Sequence, residues 1–168
     1  MHWIIAAIIA PIPLFHLWLH ALLPWWKKHP WLYYFCGLLV WIGSFLYFSF
    51  IGPRSEYLFE FDPVWRVASG YTLMVIGAVG ILSSIITLGP KRFFVWAVLM
   101  PDSASKIRLT KGPFAFIPHP AYIGELLVAI GNFLVRGQFY LLYLAIFLAV
   151  LTPIVIWLEE EELKKRIA

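Results

Sequence analysis

The residues of this chain best placed to do chemistry are His119-Pro120-Ala121-Tyr122-Ile123-Gly124 and, after 34 intervening residues, Glu159-Glu160-Glu161-Glu162-Leu163. An imidazole, a phenol and carboxylates bear charge and form hydrogen bonds, and both clusters stand at the ends of long apolar runs, where a polar group needs a partner. A flanking charge alone can serve topology. A His, a Tyr and a carboxylate run that return to one membrane face compose a site. His16 and His20 form a second pair, one helical turn apart in the first apolar run. Imidazoles so spaced can ligate a metal or haem or hold a quinone head group, or they can hydrogen-bond to neighbouring helices or line a substrate entrance. A haem held between helices needs an axial ligand from a second element, and His119, on a loop, is the histidine placed to give one.

The elements that must position these groups are membrane helices. The 168-residue chain is 62% hydrophobic and 13% charged, whereas a soluble domain is about half apolar and about a quarter charged. Such a surface has to face lipid. Nine tryptophans and eight tyrosines suit interfacial belts. The single cysteine, Cys36, excludes an internal disulfide and sits in an apolar run as a small core residue. A spanning helix takes about 20 apolar residues, and the stretches 3–23, 31–51, 67–88 and 139–158 reach that length. The stretch 123–135 makes only about 20 Å of helix. It spans with help from its flanks, or dips in as one arm of a hairpin around the turn Arg136-Gly137-Gln138. The first run is too long, too aromatic and too broken by proline for a cleavable signal, and nothing basic precedes it. The expected fold is therefore an all-α integral membrane protein, one membrane domain over 1–168. It has about five transmembrane helices, the last two a helical hairpin, and the 89–122 connector caps the site.

Charge placement orients this arrangement. Lys27, Lys28, Lys91, Arg92, Lys106, Arg108, Lys111, Lys164, Lys165 and Arg166 fall on one side, and Arg54, Arg66 and Arg136 on the other. The positive-inside rule puts the N-terminus outside and the C-terminus, the connector and the His119 and Glu159 clusters in the cytoplasm. The net charge of +4 then reflects basic cytoplasmic loops, and no nucleic-acid partner is expected. Within the connector, 92–100 is an apolar stretch headed by a basic pair, which fits a segment lying in the interface. Lys106 to Lys111 alternates charge with aliphatic side chains as a short extended piece, and Gly112-Pro113 makes a turn. Pro118 and Pro120 hold His119 extended.

The short helix after Tyr122 carries Glu125, Asn132 and Arg136 within a stripe about 40° wide, and Gly124 and Gly131 on a stripe suited to close helix packing. Glu125 either faces a cavity or partner at membrane depth or sits at the helix start, where it favours the positive end of the dipole. The glutamate run also has two readings. Glu160 with Lys164, Glu161 with Lys165 and Glu162 with Arg166 are i, i+4 pairs of a solvated helix end. Against that, Glu159 and Glu160 abut Trp157 and Leu158 at the membrane boundary, and four acids oppose the dipole of a C-terminal end.

In order and spacing, Gly112-Pro113-Phe114, His119-Pro120-Ala121-Tyr122-Ile123-Gly124, the hairpin and Glu159-Glu160-Glu161-Glu162-Leu163 resemble a known family. It is the isoprenylcysteine carboxyl methyltransferase and phospholipid methyltransferase family of integral membrane methyltransferases. There a basic connector ends in Gly-x-(Tyr/Phe) and Arg-His-Pro-x-Tyr-x-Gly, and Glu-Glu-x-x-Leu follows the hairpin. The resemblance covers about residues 89–163. It implies five helices with a cytoplasmic site and S-adenosylmethionine-dependent methyl transfer to a lipophilic or membrane-associated acceptor, of the isoprenylcysteine-carboxyl or phospholipid-amine type. It implies His119, Tyr122, Glu159 and Glu160 as cofactor contacts, with no metal. Glu125, Asn132, Arg108 and Arg136 stand as positioning candidates on the acceptor side.

The implied cofactor is a sulfonium cation with an ammonium group, which carboxylates and aromatic faces can hold. Methyl transfer is an in-line displacement that mainly needs alignment, so no catalytic triad is expected. The chain has no Gly-rich strand-to-helix turn, which excludes the soluble dinucleotide-type methyltransferase fold. On this reading the acceptor, a lipophilic small molecule, a lipidated species or a membrane lipid, enters laterally from the bilayer, and the cofactor enters from the cytoplasm. Two departures from the family pattern set the alternatives. Pro118 stands where the family has arginine, so Arg108 or Lys111 would have to supply that contact. The chain also stops five residues after Leu163, where relatives carry a Gly- and Tyr-bearing tail. The alternatives are a non-catalytic membrane scaffold descended from this fold, and a haem- or quinone-binding redox protein using His16 and His20. The sequence leaves the acceptor's identity and the oligomeric state open.

Overall fold

Two prolines shape the first apolar run. Pro11 has no N–H to give to the carbonyl four residues back, so the run divides into α1 (His2–Ile9) and α2 (Pro11–Ala21), with Pro13 in the first turn of α2. The carbonyl of Ala7, which Pro11 leaves free, accepts from the Ser44 hydroxyl at 2.9 Å, and that of Ile8 accepts from the Trp41 indole at 3.0 Å. Lipid offers no water to such carbonyls, so a neighbouring helix must serve them. That helix is α4 (Pro30–Ile51), reached through the one-turn α3 (Leu23–Trp26).

The computed structural model describes residues 2–59, 63–100 and 109–167. Among these the structure is helical, with one isolated bridge between Tyr57 and Gln138. Beyond α4 come α5 (Val64–Leu88), the short α6 (Pro90–Phe93) and α7 (Trp96–Leu99) of the connector, α8 (Pro120–Arg136) and α9 (Phe139–Ile167). Four stretches are long and apolar enough to cross a membrane: His2–Ala21, Pro30–Arg54, Val64–Leu88 and Phe139–Lys165. Their outer faces expose Leu38, Leu46, Phe50, Val75, Val79 and Ile86, a surface suited to lipid.

The 123–135 stretch is the middle of α8, which gains an extra turn because Pro120 fits its first positions. At 17 residues it is roughly 26 Å long, short of the ~30 Å hydrocarbon core. Nor does the last helix stop at 158. It runs on through Pro153 to Ile167 and carries the glutamates as helical residues.

The α8–α9 hairpin is present, with Gly137 in the left-handed conformation at the turn (φ 65°). A Cβ there would meet the Phe59 ring at 2.5 Å, and Arg66, stacked on that ring, donates to the Leu134 carbonyl at 2.8 Å and caps the end of α8. Gln138 donates to the carbonyls of Gly52 and Ser55 and ties the turn to the end of α4. The longest seam of the bundle nevertheless lies between α8 and α5. Gly124 and Gly131 face Gly77 and Gly70 there. A Cβ on Gly131 would stand 2.5 Å from the Gly70 carbonyl oxygen, and one on Gly124 would stand 2.6 Å from that of Gly77. Backbones this close admit only hydrogen at the contact.

On the other side α8 joins α1 and α9 in an apolar core that includes Ala6, Ala7, Val128, Ala129, Leu141, Leu144 and Leu148. A second, aromatic core gathers Phe15, Leu19, Trp26 and Tyr33, with Cys36 packed against it. The connector docks on this core. Leu99 is buried in it, Trp96 stacks on Tyr34, and Tyr34 donates to the Phe94 carbonyl at 2.8 Å. One side of the 92–100 stretch thus packs on protein, while Phe94 stays exposed. The extended reading of Lys106 to Lys111 lies largely outside the described residues. The turn at Gly112-Pro113 is a single 3-10 turn, Gly112–Ala115, with Gly112 against Thr87 at the end of α5.

The glycine seam gives a stability test. Gly77→Ala is expected to destabilise the protein by about 1–3 kcal/mol, because its methyl would press on the Gly124 carbonyl and on the Val128 backbone, neither of which is a flexible side-chain end. Gly43→Ala, with nothing within 4 Å, should leave the thermal midpoint in detergent unchanged. Equal midpoints for the two variants would contradict the seam.

Candidate functional site

Where the connector enters α8, chain chemistry places one imidazole. Pro118 and Pro120 flank His119, which stays out of the helix (φ −129°, ψ 64°) while its carbonyl accepts from the Ile123 N–H. Its ring meets α9. His119 Nε2 lies 2.7 Å from Glu160 Oε1, a hydrogen bond, and Nδ1 lies 3.6 Å from Glu159 Oε2, too far for one. The His119 side chain is only 11% exposed. Burial alone would depress its affinity for a proton, but the negative charge of Glu159 and Glu160 and the hydrogen bond to Glu160 outweigh that and raise the imidazole above its ordinary value.

Tyr122, in the first turn of α8, is buried and lies almost parallel to the His119 ring, with centroids 5.9 Å apart. Its hydroxyl shares a 2.8 Å hydrogen bond with His16 Nδ1 on α2, and the two rings meet edge to face at 5.1 Å. One turn further along α2, His20 Nε2 is buried without a hydrogen-bond partner among the described residues, and so is Glu159 Oε2. Three helices, α2, α8 and α9, therefore bring six candidate groups to one end of the bundle.

The structure unites His119, Tyr122, Glu159 and Glu160, with Glu125 one turn from Tyr122 and only 4% exposed. It does not bring Asn132 and Arg136 to them. Asn132 is thirteen residues along α8 from His119, about 20 Å, and bonds His2 instead: its Nδ2 donates to the His2 carbonyl at 3.0 Å and its Oδ1 meets His2 Nδ1 at 2.6 Å. Arg136 donates to the Tyr57 hydroxyl at 2.9 Å near the hairpin turn. Arg108 lies outside the described residues, and Lys111 is exposed. The i, i+4 pairing of Glu160 with Lys164 gives way to an i, i+3 contact of Lys164 with Glu161 at 2.8 Å, because Glu160 is turned inward to His119. Among the described residues no group of three or more His, Cys, Asp or Glu side chains could hold a metal ion. The residue that sequence reasoning set apart from this site is His16. Its signal was the one-turn spacing to His20 at the same end of the first run, but nothing in the spacing names Tyr122 as the partner.

Residues 65–167 match the family model of phospholipid methyltransferases, so α1 to α4 lie outside the matched region. No curated protein and no solved structure matches the chain.

The His119 cluster makes stability depend on pH. Because folding raises this imidazole's proton affinity, its contribution is fully present below about pH 6.5, the ordinary histidine value, and is lost as pH rises through the folded value. The thermal midpoint of the purified protein should therefore fall as pH is raised above that value, and His119→Gln should flatten this slope. Parallel slopes for the two proteins would show that His119 is not the group responsible.

Proposed function

The chain belongs to the phospholipid methyltransferase family, and from that premise we propose that it transfers a methyl group from S-adenosylmethionine to a lipophilic or membrane-associated acceptor. When bound, the cofactor supplies an electrophilic methyl group on a sulfonium cation. The donor set fits such a molecule. Glu159 and Glu160 are anionic acceptors for a cation bearing an ammonium group, and the buried Glu159 Oε2 has no hydrogen-bond partner among the described residues. The Tyr122 ring adds a polarisable face. His119, hydrogen-bonded to Glu160, holds that carboxylate in one orientation against the start of α8. Glu125, buried one turn deeper on α8, is on this reading a positioning group for the acceptor.

One observation carries this reading: Glu160 and His119, 41 residues apart and on the two arms of the hairpin, meet at 2.7 Å within the family-matched region. The chemistry asked of the protein is modest. An in-line methyl transfer needs the acceptor atom held opposite the leaving sulfur and water kept out, and positioning of that kind supplies several kcal/mol of a barrier, about 7–11 at its best. A carboxylate or thiolate acceptor is already a nucleophile, and an amine needs only to be unprotonated. On the charge argument the site faces the cytoplasm, where the cofactor is dissolved, while the acceptor arrives along the bilayer.

The test is titration of detergent-purified protein with S-adenosylhomocysteine by calorimetry. Saturable binding is expected for the parent chain and its loss for Glu160→Gln and His119→Ala, with the helical circular dichroism of both variants retained. Unchanged binding in both variants would overturn the site assignment.

A further inference from the structure

We propose that α2 forms a third wall of this ligand site, and that His16 is a positioning residue which fixes Tyr122 for the cofactor. The inference rests on the methyltransferase reading above and adds to it a part of the chain that the family match does not reach, since the match begins at residue 65 and α2 ends at Ala21.

Tyr122 is held on two sides. The His119 ring lies against it at 5.9 Å with planes only 25° apart, while the His16 ring stands at 89° to it and bonds its hydroxyl at 2.8 Å. A phenol without that bond keeps its place in the helix but is free to turn about its side-chain torsions. With the bond, both the ring plane and the hydroxyl direction are set. The ring's value to a cation lies in its face, and a face has to be held to be presented. Whichever of the two groups donates, the bond ties the phenol oxygen to the Nδ1 side of the His16 ring.

The second observation concerns what α2 and α9 leave open. His20 Nε2 and Glu159 Oε2 are both buried atoms without a hydrogen-bond partner among the described residues, the nearest charge to Glu159 Oε2 being His119 Nδ1 at 3.6 Å, and Glu159 acts electrostatically on His16 and on His20. A donor-capable nitrogen on α2 and an acceptor-only oxygen on α9, close enough for the Glu159 charge to act on His20, match a ligand that carries both an anionic and a cationic group, as the amino-acid end of the cofactor does. Buried polar atoms normally find partners, so the pair marks the space between α2 and α9 as a place for a polar ligand. The purely structural alternative, a tether of α2 to α8, would be served by any hydrogen bond between the two helices. It predicts no effect on ligand affinity once folding is intact.

The experiment compares His16→Asn with His16→Gln. The asparagine oxygen takes the place of Nδ1, whereas the glutamine oxygen moves to the place of Nε2, so both variants are polar but only the first can bond Tyr122. The S-adenosylhomocysteine dissociation constant is measured by calorimetry for the parent chain, both variants, Tyr122→Phe and the His16→Gln/Tyr122→Phe double variant, with thermal midpoints taken alongside. Expected are near-parental affinity for His16→Asn and a loss of about three- to tenfold for His16→Gln, the worth of one hydrogen bond. The double variant should bind no more weakly than Tyr122→Phe alone, since His16 acts through that hydroxyl. Should His16→Gln fail to fold, His16→Leu is read in its place. Equal affinity of the folded His16 variants and the parent, or losses that multiply in the double variant, would overturn the role of His16 while leaving the cofactor site standing. Failure of the parent chain itself to bind would overturn both.

Discussion

Gly70 and Gly77 on α5 face Gly131 and Gly124 on α8, and at this spacing the two backbones touch through carbonyl oxygens. Helices in lipid gain little from burying apolar side chains against each other, because lipid tails are equally apolar, so close packing has to supply the adhesion. The glycines leave α8 one rotation in which that packing is possible. With the glycine stripe turned to α5, Tyr122 turns to α2 and Glu125 is buried within the bundle. The chemistry of the site follows from a contact that has no polar side chain in it.

The other end of α8 shows why the helix stays where the glycines put it. Arg66 caps the Leu134 carbonyl, Gly137 makes the turn, and Gln138 ties the turn to the end of α4. With one end clamped, the His119 end is set in depth. It meets α9 where that helix has left its most apolar stretch and begins its glutamate run. Like charges in sequence would repel at a helix C-terminus, and part of the run is relieved differently from the rest. Glu161 pairs with Lys164 at the surface, whereas Glu160 pairs with an imidazole whose proton affinity burial alone would lower and the carboxylates raise.

Much of this was legible in the sequence, for physical reasons that differ by element. The spans could be read from apolar length because lipid tolerates nothing else, and the boundaries that moved did so at proline. Pro11 divided the first run, Pro120 lengthened the start of α8, and Pro153 was carried inside α9 without ending it. The His119 and glutamate clusters could be placed at one end of the bundle because a hairpin returns the chain to its starting face. The stripe of Glu125, Asn132 and Arg136 was a sound reading of angle and a poor one of depth. Helical periodicity says which side a residue faces, and these three are spread along the axis, so Asn132 serves His2 and Arg136 serves Tyr57. The His16–Tyr122 bond was beyond any local pattern. It joins residues 106 apart, and only the packing of α2 on α9 and α8 brings them together.

The central claim is that α2, α8 and α9 enclose one cofactor site at the connector end of the bundle. The most direct test is photolabelling: ultraviolet irradiation of the purified protein with methyl-labelled S-adenosylmethionine, followed by proteolysis and mass spectrometric mapping of the labelled peptides. The account predicts label on the peptides that carry His16 to His20, His119 to Tyr122 and Glu159 to Glu160, suppressed by excess S-adenosylhomocysteine. Competed label confined to the opposite end, around His2, Tyr57 and Arg136, would contradict it.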